Sequence, residues 1–165
     1  MSSRLQIGMA APPIKLYDTE RKLRTLAEFK GKTVVIVFFP GAFTEVCTRE
    51  LCSFRDSLSN FEAVNAQVIA ISVNDPFTNH AFAEQNRLFF PILSDYARKT
   101  IRAYDVLQEK LAGLEEYTTA KRSVFVVSPE GFIKYKWVTD NPAVEPPYSD
   151  IQHSVDELDR GRPSE

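Results

Sequence analysis

Two cysteines, Cys47 and Cys52, stand five positions apart in the stretch FFPGAFTEVCTRELC, and they carry the chemistry this sequence offers. Upstream, residues 33–39 form a near-continuous β-branched and aromatic run that ends at Pro40. Downstream, from residue 46 to 61, the apolar spacing becomes helical, with Leu51, Phe54, Leu58 and Phe61 on one stripe. Cys47 therefore falls in the first turn of a helix, beside unpaired backbone N–H groups and the positive end of the helix dipole, which favour a thiolate over a thiol. Thr44 is expected as the N-cap, which puts Cys47 at the third helical position. The wheel places Cys47 with Leu51, Phe54 and Leu58, so its sulfur points toward the core at the helix mouth. Pro40 lacks an N–H, ends the strand and shields the sulfur, while Gly41 and Ala42 leave room for a small substrate. The pattern is that of a pocketed nucleophile.

Other elements must hold this strand, turn and helix. Residues 13–25 alternate around Asp18-Thr19-Glu20-Arg21 and read as an N-terminal hairpin, followed by one helical turn at 26–29. Residues 67–73 are a buried-type strand, and 78–87 a helix with Thr78 as N-cap. A short apolar piece at 90–93 leads to a helix over 97–104 capped by Ser94 or Asp95. Residues 105–120 read as a loop with helical turns. A hairpin joins residues 123–127 to 132–138 through Ser128-Pro129-Glu130-Gly131. The prolines of 141–148 form a rigid surface excursion before a terminal helix over about 149–158. The order implies an α/β chain of thioredoxin-like type: a mixed β-sheet flanked by helices, with an N-terminal β-hairpin extension, in one domain over residues 1–165.

Composition narrows the function. With 20 basic and 22 acidic residues spread along 165, the net charge of −2 offers no basic patch for nucleic acid or an acidic membrane surface. No apolar run reaches the roughly 20 residues that cross a bilayer, and the proline-broken N-terminus lacks a signal peptide's apolar stretch, so a cytoplasmic protein is expected. Two cysteines are too few for a secreted disulfide framework. His80 and His153 have no metal-ligand spacing and read as surface residues, so neither metal nor cofactor is expected.

Pro40, Thr44 and Cys47 together form the P-x-x-x-T-x-x-C pattern, and the chain resembles the peroxiredoxins over almost its whole length, including ISVNDPF, FPILSD and RSVFVV. The resemblance implies a peroxidatic Cys47 whose thiolate attacks a peroxide and becomes a sulfenic acid. It implies that Thr44 and Arg122 hold the peroxide, Arg122 also stabilising the charge on the departing oxygen. Arg49, Arg55 and Lys121 compete for that role in the sequence. The Cys47-to-Cys52 spacing is similar to the Q type, also called bacterioferritin comigratory protein, and implies a resolving Cys52 that forms an intramolecular disulfide. Five residues of helical rise exceed the ~7 Å reach of a disulfide, so the helix must unwind for that bond to form. A thioredoxin or glutaredoxin-like dithiol would then reduce it, in a monomer or homodimer. Two alternatives stay open: a one-cysteine enzyme resolved by an external thiol, and a copper chaperone using Cys47, Cys52 and a histidine.

Overall fold

The structure is a computed structural model that describes residues 5–161. Its N-terminal hairpin pairs β1 (Lys15–Tyr17) antiparallel with β2 (Leu23–Thr25). Asp18 closes the turn, its carboxylate accepting from the backbone N–H of Glu20 and Lys22 at 2.8 and 3.0 Å. A reciprocal capping box between Thr25 and Glu28 starts the short 3-10 turn Leu26–Phe29.

The expected central strand is β3 (Thr33–Phe38), buried at all six positions. It is followed by α1 (Glu45–Asp56) and α2 (Leu58–Ala63), where sequence periodicity predicts one continuous helix. The axis breaks at Ser57, and Phe54 and Phe61 on either side of the break are both buried and stacked, with centroids 6.1 Å apart. Next come β4 (Ala66–Ser72) and α3 (Pro76–Asn86). Thr78 does not cap α3. Asp75 does, accepting from the Thr78 N–H at 2.8 Å, because Pro76 suits the first helical position and has no N–H to satisfy.

β5 (Ile92–Ser94) precedes α4 (Lys99–Ala103), where Asp95 rather than Ser94 serves the first turn by accepting from the N–H groups of Thr100 and Ile101. The predicted loop at 105–120 contains a two-stranded ribbon, β6 (Leu107–Gln108) and β7 (Thr119–Ala120). β8 (Ser123–Val127) and β9 (Ile133–Val138) form the predicted hairpin, and α5 (Tyr148–Arg160) closes the described chain.

The seven-stranded sheet runs β2-β1-β5-β4-β3-β8-β9, with β3, β4 and β5 parallel and β8 antiparallel to β3. This is the mixed sheet that the element order implies. β3 serves both faces by simple alternation. Val35, Val37 and Phe39 pack with residues of α1, α3 and α5, while Val34, Ile36 and Phe38 pack with Phe29, Ile101 and Tyr104. Each such side chain contributes about 1.5–3 kcal/mol of burial, which makes β3 a fixed base for whatever its C-terminal end presents.

Candidate active site

The base ends at Phe39, whose N–H still bonds to the Ile71 carbonyl at 3.1 Å, and at Pro40, which is buried. Between strand and helix, Phe43 adopts φ 67°, a left-handed conformation unusual for an aromatic residue, with its half-exposed ring edge-on to Phe82. Asn74, from the loop after β4, pins this turn by accepting from the Ala42 N–H at 2.8 Å. An added Cβ at Gly41 would meet Thr44 Cγ2 at 3.7 Å, an ordinary van der Waals contact.

Thr44 occupies the N-cap position with extended dihedrals, but its side chain does not cap. The hydroxyl donates backward to the Gly41 carbonyl at 2.8 Å, so it braces the turn. Cys47 is the third residue of α1, fully buried as its wheel position requires, with Leu51 and Phe54 on the same side.

Arg122 reaches Cys47 from across the sheet. Antiparallel pairing of β3 with β8 sets Ser123 opposite Phe38, which brings the preceding residue to the mouth of α1. Arg122 is 2% exposed, and its Nη1 donates to Cys47 Sγ at 3.2 Å and to Glu50 Oε1 at 2.8 Å. Its Nε and Nη2 both donate to the Pro142 carbonyl, at 3.2 and 2.8 Å. The rival cations are engaged elsewhere: Arg49 with Glu45 and Glu145, Arg55 with Asp56 and the Asn86 carbonyl, Lys121 with Asp140. Cys52 is not part of this cluster. It lies half-buried on another flank of the intact α1, its Sγ 3.8 Å from Asn86 Oδ1, and both cysteines are free thiols.

Sequence reasoning missed Glu50, Asn74 and the Pro142 carbonyl. Glu50 left a signal, since a glutamate inside the stripe of Cys47, Leu51 and Phe54 must be buried and so needs a partner. Burial pushes its carboxyl up to about 8, against the opposing pull of Arg122. Its second oxygen, Oε2, is buried without a hydrogen-bond partner, which also fits a protonated acid. A neutral Glu50 leaves the guanidinium charge facing the sulfur. The proline-rich stretch contributes to the site through the Pro142 backbone carbonyl, so it does more than run along the surface.

His80 and His153 sit exposed on α3 and α5 against Glu84 and Glu157, and among the described residues no three His, Cys, Asp or Glu side chains cluster as metal ligands. A surface cavity of about 440 Å³ lies at the far end of β3, lined by Ile14, Phe29, Val34 and Val127, and contains none of these site residues. No described helix is long and apolar enough to cross a membrane.

Comparison with known proteins places the site in context. A family profile described as AhpC/TSA matches residues 7–136. The chain is 38% identical over 125 residues to chloroplastic peroxiredoxin Q of Populus jackii, covering 74% of this chain and 59% of that protein. It is 33% identical over 133 residues to peroxiredoxin Bcp of Bacillus subtilis, covering 81% of this chain and 85% of that one. The fold superposes on the crystal structure of peroxidoxin BcpB from Mycobacterium tuberculosis with a TM-score of 0.82 at 24% identity, over 97% of this chain and 100% of the other.

Proposed function

Because the chain belongs to the AhpC/TSA family, the peroxiredoxins, we propose that it is a thiol-dependent peroxidase acting on hydrogen peroxide and organic hydroperoxides. The observation that carries the reading is Arg122 Nη1, shared between Cys47 Sγ and Glu50 in a buried site at the first turn of α1. A permanent cation there stabilises a thiolate and then the alkoxide or hydroxide that departs. The Cys47 sulfur attacks the terminal peroxide oxygen, the O–O bond breaks, and Cys47 sulfenic acid and an alcohol or water result. Thr44, held by Gly41, keeps hydroxyl lone pairs for the peroxide proton, and Pro40 keeps water from the sulfur.

Cys52 then resolves the sulfenic acid as an intramolecular disulfide, and a thioredoxin or glutaredoxin-like dithiol reduces it. The two cysteines belong to one intact helix, so the disulfide requires local unwinding of α1 as a step of the cycle. Metal-free protein should consume peroxide, Cys47→Ser should abolish consumption, and peroxide-treated protein should yield a peptide linking Cys47 to Cys52. Activity retained in Cys47→Ser would overturn the peroxidase reading. A persistent Cys47 sulfenic acid beside a free Cys52 thiol would favour an external resolving thiol.

A further inference from the structure

Cys52 is held by a second set of contacts, on the side of α1 that faces α3. Asn86, the last residue of α3, presents both its side chain and its backbone carbonyl to α1. Its Oδ1 lies 3.8 Å from Cys52 Sγ, and its carbonyl accepts from Arg55 Nη1 at 2.7 Å. The Asn86 side chain is itself fixed, donating through Nδ2 to the Phe82 carbonyl at 3.0 Å. The carbonyls of a helix's last turn have no partner within the helix and carry its negative end, so a guanidinium there gains a charge-assisted bond. Cys52 and Arg55, three residues apart, share the face that makes these contacts.

We propose that Arg55 is a positioning residue for Cys52: with Asn86 it clamps the second half of α1 to α3 and so sets how long the Cys47 sulfenic acid lasts before Cys52 reaches it. This rests on the reading of Cys52 as the resolving thiol. In that step Cys52 loses its proton and bonds to the Cys47 sulfur, the S–O bond of the sulfenic acid breaks, and hydroxide leaves to take up the proton as water. Cys52 is oxidised and the Cys47 sulfur reduced. While the clamp holds, a second peroxide competes: the sulfenic sulfur attacks its terminal oxygen, the O–O bond breaks, the departing oxygen takes up a proton and leaves as alcohol or water, and the oxidised sulfur is a sulfinic acid. The clamp must open for the first route and need not open for the second. It therefore partitions the intermediate between them.

The test is single-turnover oxidation of the full-length reduced protein. Trp137 of β9, which packs against the core cluster containing Cys47, reports the first oxidation by fluorescence, and quenched samples give disulfide and sulfinic acid by mass spectrometry. Arg55→Met keeps the apolar stem and removes the charge and donors. It should form the disulfide about 5- to 10-fold faster, the scale of losing one hydrogen bond at a partly exposed site, with the first oxidation unchanged and less sulfinic acid in excess peroxide. Asn86→Ala should move the same way, and Arg55→Lys should return toward the wild-type rate. A linked Cys47–Cys52 peptide with an unchanged or slower rate in both Arg55→Met and Asn86→Ala overturns the clamp alone. Absence of that peptide in the wild type overturns the resolving role, and the proposal with it.

Discussion

Arg122 Nη1 donates to Glu50 Oε1 at 2.8 Å with side chains 2% and 0% exposed, and the same guanidinium nitrogen also donates to the Cys47 sulfur. A buried acid and a buried thiol thus draw on one positive charge. Which of them receives it depends on the protonation of Glu50.

Glu50 should make the folded state lose stability as pH rises. Its carboxyl is raised from 4.5 to about 8 by burial, so between those values the folded state keeps a proton that the unfolded chain releases. The stabilisation is complete below about 4.5 and declines through about 8, on the order of 1 kcal/mol per pH unit at most. Urea unfolding at pH 5, 6, 7 and 8 should show this slope in the wild type and lose it in Glu50→Gln. An equal slope in both proteins would count against a protonated Glu50.

Replacing Arg122 should damage rate and stability together. Arg122→Met removes the donors to Cys47, Glu50 and Pro142, and kcat/KM for peroxide should fall by about 10²–10³, the scale of one lost charge-stabilising donor. Stability should fall by about 3–5 kcal/mol if Glu50 is ionised and left unpaired, and by less where it is neutral. Arg122→Lys should recover the charge only in part, since an ammonium lacks the planar fork that reaches both the sulfur and the Pro142 carbonyl. Stopped-flow oxidation and thermal melts read both effects.

Thr44→Val keeps the shape but loses the hydroxyl that donates to Gly41. We expect about 1 kcal/mol of lost stability and a 10- to 100-fold slower reaction with peroxide, while Thr44→Ser stays within several-fold of the wild type. A Val variant as fast as the Ser variant would remove Thr44 from peroxide binding.

Asn74 should matter although it touches neither cysteine. Asn74→Ala leaves the Ala42 N–H without its acceptor, costing about 1–3 kcal/mol and loosening the turn that carries Thr44. Peroxide reactivity should drop several-fold with the Cys47 thiol still present in the denatured protein by titration.

Much of the site was legible because strand and helix periodicities leave strong marks. The near-continuous β-branched and aromatic run at residues 33–39 located the supporting strand, and the stripe through Cys47, Leu51 and Phe54 oriented the sulfur. The caps were harder to place. Thr44 and Asp75 both stand before helices, but the Thr44 hydroxyl turns back to Gly41 instead of capping, and Asp75 takes the cap from Thr78 because Pro76 fills the first helical position. The bend at Ser57 was hidden for a similar reason, since the apolar stripe continues across it.

By itself the sequence determined a cysteine in the first turn of a helix fed by a buried strand, because local spacing sets which residues share a face. Tertiary structure alone decided its partners. Arg122 reaches Cys47 from 75 positions away only because β8 runs antiparallel to β3, and Pro142 supplies Arg122 with a backbone carbonyl whose value does not depend on side-chain type. Burial, which no local spacing measures, is what turns Glu50 from a surface carboxylate into an acid protonated near neutral pH.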